Sequence, residues 1–99
     1  MAVSRGQKLA YVVDARYDEE NEAKIVGLAQ GADIFYCEAP FLDQDAKKAF
    51  ERYHLTARQA GIMARKAGVR ELVVFHFSPR YTGLGNQIAA EAQAAFQGH

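Results

Sequence analysis

The 99-residue chain contains a single cysteine, three histidines, no surplus of charge and no long apolar run. Each shortage removes a class of explanation. One cysteine, Cys37, excludes an internal disulfide and fits a reducing compartment. Twelve Lys plus Arg balance twelve Asp plus Glu, so no chain-wide attraction draws the molecule to nucleic acid or an anionic membrane. Any phosphate chemistry has to be local. No apolar stretch approaches the ~20 residues of a membrane-spanning helix, and Met1-Ala-Val-Ser-Arg-Gly lacks the apolar core of a signal peptide. A soluble cytoplasmic protein with no membrane partner is the expectation. Repeats, low-complexity tracts and a glycine-rich phosphate loop are also missing.

What is present describes one globular unit. With 49% hydrophobic and 24% charged residues, residues 1–99 read as a single small domain that can hold a core with little stability to spare. Three short runs rich in β-branched and aromatic residues predict strands: Lys8-Leu-Ala-Tyr-Val-Val-Asp14, Ile34-Phe-Tyr-Cys-Glu38 and Leu72-Val-Val-Phe-His76. Because successive residues are apolar, these strands are expected to be buried on both faces, as in a parallel sheet. Asp18 to Gly31 predicts a helix, with Asp18 as its cap, acidic residues in its first turn and Gly31 at its end. A shorter helix is expected near 44–50. A stronger one runs from Thr56 to Ala67 with Gly68 as terminator and Ala60, Ile62, Met63 and Ala67 on its apolar side. Phe77 to Gly85 reads as a loop, and an Ala-rich helix follows from about Asn86 to Phe96. The fold class is therefore α/β: a small parallel sheet of about three strands with right-handed crossover helices.

Each predicted strand ends in a residue able to bind metal or move protons: Asp14, Glu38 and His76. Taken singly, Asp14 reads as a turn residue and His76 as a packing residue. Glu38 is less ordinary, because a carboxylate in an apolar run needs a partner to offset desolvation. Ligands of open α/β sheets bind at the carboxyl ends of parallel strands, so the three together point to a site there. Arg80, in the loop beside that crevice, is the candidate for holding substrate. His54 stands just before the helix capped by Thr56 and otherwise reads as a helix-entry residue. Cys37 reads as a small core residue.

These residues fall into motifs that resemble ribonuclease Z and its close relatives, hydrolases of the metallo-β-lactamase fold. The resemblance runs from Lys8 to about Phe96. Tyr11-Val-Val-Asp14 is similar to the strand carrying the family's metal-bridging aspartate. Cys37-Glu-Ala-Pro-Phe41 resembles the family's H-E-A-T-F segment, with cysteine and proline as departures. His54-Leu-Thr56 resembles its H-S-T segment, and Leu72-Val-Val-Phe-His-Phe-Ser-Pro-Arg-Tyr81 its last metal-binding histidine, here His76. The resemblance implies the C-terminal part of an αββα fold, with Asp14 and His76 as ligands in a centre of two zinc ions. It also implies His54, supported by Glu38, as the proton donor to the departing ribose oxygen.

The family's main metal motif, H-x-H-x-D-H, does not occur in these 99 residues. One carboxylate and one imidazole fall short of the roughly three protein ligands of a catalytic zinc. The expectation is a fragment of a zinc-dependent phosphodiesterase or endoribonuclease that binds no zinc stably and has little activity alone. Its partners would be the missing N-terminal half, or further copies of itself, and RNA or another phosphodiester as substrate of the complete enzyme. The alternatives are a non-catalytic oligomerisation or interaction module built on the same fold, and a small metal-free α/β binding domain.

Overall fold

A computed structural model describes residues 8–13, 15–75 and 85–98. Among them lie three strands, β1 (Leu9–Val12), β2 (Ile34–Glu38) and β3 (Glu71–Phe75), and four α-helices, α1 (Glu19–Ala29), α2 (Ala46–Glu51), α3 (Ala57–Ala67) and α4 (Gly85–Phe96). A 3-10 turn at Asp43–Asp45 leads into α2, which accounts for the helix expected near 44–50. The strands are parallel in the order β1-β2-β3, so the α/β class holds. Asp14, His76 and Arg80 lie outside the described residues.

The helix boundaries follow local chemistry. Asp18 caps α1, its carboxylate accepting the Asn21 N–H at 2.8 Å. Gly31, at φ 69°, makes the turn after that helix. Thr56 caps α3 through a full capping box with Gln59, which satisfies two of the helix's orphan donors. Gly68 closes α3 in the left-handed conformation, its N–H donating to the Arg65 carbonyl. The buried face of α3 includes Ala60, Met63 and Ala67 as expected, but not Ile62. It comprises Ala57, Ala60, Gly61, Met63, Ala64 and Ala67, and Ile62 is only half-buried. Small residues occupy the seam because α4 lies so close: a Cβ on Gly61 would stand 2.7 Å from Ala95 Cβ and 2.9 Å from Phe96 N.

Among the described residues the helices cover one face of the sheet, which corrects the expectation that its strands are buried on both. One face presents Ala10, Val12, Phe35, Cys37 and Leu72 to a core shared with Ile25, Leu55, Met63, Ile88 and Ala92. The other carries Leu9 (40% exposed) and Tyr11 (63% exposed), with Val13 (51% exposed) just beyond β1. In register with them stand half-buried Ile34, Tyr36 and Val73. Tyr11 and Tyr36 stack there, ring centroids 4.6 Å apart. Topology explains the asymmetry. A strand order that never reverses, joined by right-handed crossovers, puts every crossover helix on the same side. Apolar composition alone could not reveal this, since it does not say which face meets the helices.

Candidate functional site

Glu38 and His54 are brought together at the carboxyl end of the central strand. Glu38 is the last residue of β2, on the same face as Tyr11 and Tyr36, yet only 8% exposed. The chain then runs through buried Ala39, Pro40, Phe41 and Leu42. The Ala39 N–H donates to the Phe75 carbonyl at 2.9 Å, which prolongs the β2–β3 pairing past Glu38. Phe41 forms an isolated parallel bridge with Thr56, and its carbonyl accepts the Ala57 N–H at 2.8 Å. Residue 54 is thereby held alongside the end of β2, although 16 positions separate it from Glu38.

His54 Nδ1 lies 3.9 Å from Glu38 Oε1. This is within Coulombic range but too long for a hydrogen bond, and the buried Nδ1 has no hydrogen-bond partner among the described residues. The imidazole still keeps 28% of its surface, so its accessible part excludes Nδ1. The Phe41 ring, 5.9 Å away between centroids, closes one side of the pair. A carboxylate that faces Nδ1 favours the proton on that nitrogen and an outward Nε2. Such a pair can orient an imidazole and pass a proton to a group in front of it.

A polar lattice from more distant residues supports this corner. Glu91, on α4, accepts through Oε2 the N–H of Asp43 at 2.9 Å and of Arg58 at 3.1 Å. The Thr56 hydroxyl donates to Asp43 Oδ1 at 3.2 Å. One carboxylate thus ties the segment after Glu38 to the first turn after His54. In the sequence Glu91 is an isolated acid in an Ala-rich helix, with nothing to signal partners 33 and 48 positions away.

Cys37, the neighbour of Glu38, is fully buried on the opposite, helix-covered face. Burial, and then the charge of Glu38, push its thiol up to about 12. It stays a neutral core thiol and is unsuited to bind a cation. Among the described residues no three His, Cys, Asp or Glu side chains come together as a metal site. The described part therefore does not by itself fit a zinc centre, and the expected ligands Asp14 and His76 and the expected substrate residue Arg80 fall outside it. No helix among the described residues is long and apolar enough to cross a membrane.

No family model matches the chain. Individual proteins do. It is 44% identical over 93 residues to ribonuclease Z of Streptomyces coelicolor, covering 94% of this chain and 29% of that relative. Against ribonuclease Z of Streptomyces avermitilis it is 48% identical over 80 residues, 81% of this chain and 25% of the relative. For ribonuclease Z of Synechocystis sp. the identity is 43% over 96 residues, 92% and 28%. The chain thus spans a little over a quarter of the length of the curated relatives it matches.

Proposed function

We propose, from the premise that this chain is homologous to a segment of ribonuclease Z, that it is the C-terminal part of a zinc-dependent phosphodiesterase in which His54 and Glu38 deliver a proton to the leaving oxygen. The supporting observation is the enclosed carboxylate–imidazole pair at the end of β2. When a phosphodiester bond breaks, the departing alkoxide needs a proton. Protonated His54 holds Nδ1–H towards Glu38 Oε1 and presents Nε2–H outward. The proton passes from Nε2 to the oxygen, leaving neutral imidazole with its Nδ1 proton still facing the carboxylate. Contraction of the 3.9 Å separation by roughly 1 Å would complete a charge-assisted hydrogen bond, a tightening usual when substrate binds.

Zinc, when bound, supplies an activated water and a Lewis acid. In this reading Asp14 and His76 are ligands, and Arg80 holds a phosphate oxygen of RNA or another phosphodiester. Two ligands are fewer than the roughly three a catalytic zinc requires. The remaining donors come from the other part of a ribonuclease Z chain, and these 99 residues alone hydrolyse little or nothing. Cleavage of a precursor transfer RNA by the chain, alone and mixed with the preceding segment of a ribonuclease Z, tests this with zinc measured in both. The expected result is zinc retention and cleavage in the mixture only. Cleavage by the zinc-free chain alone would overturn the reading.

The open sheet face favours a second reading, in which the chain is a non-catalytic interaction module. Leu9, Tyr11 and Val13 form an apolar surface beside an edge strand, and such surfaces associate. In this reading the chain assembles as a homo-oligomer in the cytoplasm through that face. Zinc retention by the mixture separates the two, since an interaction module has no need of it.

A further inference from the structure

Tyr53 is the only described non-glycine residue with a positive φ, 60°, and it immediately precedes His54. The reason lies in how α2 ends. The His54 N–H donates to the Ala49 carbonyl at 2.8 Å, and the Tyr53 N–H to the Phe50 carbonyl at 3.2 Å. These are the paired bonds of a Schellman motif, which requires a left-handed residue at position 53. Glycine usually stands at that place, because a Cβ there meets the following carbonyl. A tyrosine needs an interaction that offsets the penalty, and burial does not provide it, since Tyr53 is 59% exposed.

Arg16 provides it. Its guanidinium carbon lies 3.8 Å from the centroid of the Tyr53 ring and 4.2 Å from that of Phe50. Its Nε–H donates to the Phe50 carbonyl at 3.1 Å, one of the terminal carbonyls of α2, where positive charge is favoured. The backbone of Arg16 is itself anchored, its carbonyl accepting the Asn21 side-chain N–H at 2.8 Å. We infer that Arg16 is a positioning residue: it clamps Tyr53 in the left-handed conformation and so sets where the His54 imidazole stands relative to Glu38. The functional meaning of the clamp rests on the reading of His54 as proton donor. Arg16 also lies two positions after Asp14. One side chain therefore joins the segment of the expected metal-bridging carboxylate to the segment of the expected acid.

The test uses the whole 99-residue chain and reads two properties of His54 at fixed pH: amide hydrogen exchange and imidazole 15N chemical shifts. Arg16→Ala is expected to lower His54 amide protection about tenfold, the order of two cation–π contacts, and to move the imidazole resonances. The Phe35 amide, deep in β2, stays far more protected than that of His54 and reports an intact fold. Arg16→Lys keeps the charge but loses the stacked plane, and recovers only part of the protection. Tyr53→Gly, free of the Cβ penalty, restores His54 protection in the Arg16→Ala background. Unchanged His54 protection and shifts in Arg16→Ala, or no restoration by Tyr53→Gly, overturns the clamp. If the clamp behaves as expected but His54→Ala leaves cleavage by the zinc-loaded mixture undiminished, the role of His54 as proton donor falls and the clamp stands.

Discussion

A carboxyl group at 8% exposure, as Glu38 is, needs polar neighbours in its low-dielectric surroundings. One of them is His54, 3.9 Å away. In the zinc-loaded mixture, His54→Ala is expected to lower the cleavage rate roughly 10²- to 10⁴-fold, the usual worth of a general acid. Glu38→Gln, which keeps the shape but removes the charge, should cost less. A rate unaffected by either change would remove the pair from the chemistry. A second ionisable group bears on stability. Burial, with the hydrogen bond to Glu22 and that residue's charge adding to it, pushes Tyr17 up to about 12. A phenol that ionises less readily when folded stabilises the fold below its unfolded value of 10.0, and that contribution is lost as pH rises through about 12. Glu22 is held below its usual range, first by the Tyr17 hydrogen bond and then by that of Lys66. Its contribution is present above the ordinary carboxylate value and is lost as pH falls through the depressed one. Thermal unfolding across pH should therefore show Tyr17→Phe flattening the alkaline decline and Glu22→Gln the acidic one.

Among the elements, α3 connects the site to the core. Thr56 caps it, bridges to Phe41 and donates to Asp43. Thr56→Ala is expected to destabilise the chain by about 1–2 kcal/mol in urea unfolding. Gly61 marks the close approach of α3 and α4, with backbone atoms of Ala92 and Phe96 in the space a Cβ would take. Backbone cannot yield as a flexible side chain can, so Gly61→Ala should cost about 1–3 kcal/mol. Both outcomes are readable as a midpoint shift at constant slope. At this scale much was legible. The caps at Asp18 and Thr56 and the terminator Gly68 are local signals, and all three act as expected. The apolar side of α3 was less so. Ile62 outranks Gly61 and Ala64 in hydrophobicity, but the closeness of α4 selects for small size.

For the whole molecule, α1, α3 and α4 lie against one side of the sheet and Leu9, Tyr11 and Val13 line the other. β3 is partly relieved as an edge, since Gln93 on α4 donates its side-chain N–H to the Leu72 carbonyl at 2.8 Å. β1 remains at the opposite edge of the described sheet. If the chain associates through this face, sedimentation should show concentration-dependent assembly that Tyr11→Lys with Val13→Lys abolishes, since two cations oppose burial of the patch. Sedimentation as a monomer at all concentrations would discard this surface as a self-association site.

The sequence by itself determined the strands, the helix caps, the α/β class and the motifs around Glu38 and His54, because each depends on residues within a few positions of one another. Only the tertiary structure decided which face of the sheet is covered, since that follows from the strand order and the hand of the crossovers. It also decided that Glu38 and His54 face each other, and that Glu91 and Arg16 brace their surroundings. Those contacts join residues 16 to 48 positions apart. No local pattern encodes such pairings; they arise when α4 packs on α3 and when the connection after β1 meets the end of α2.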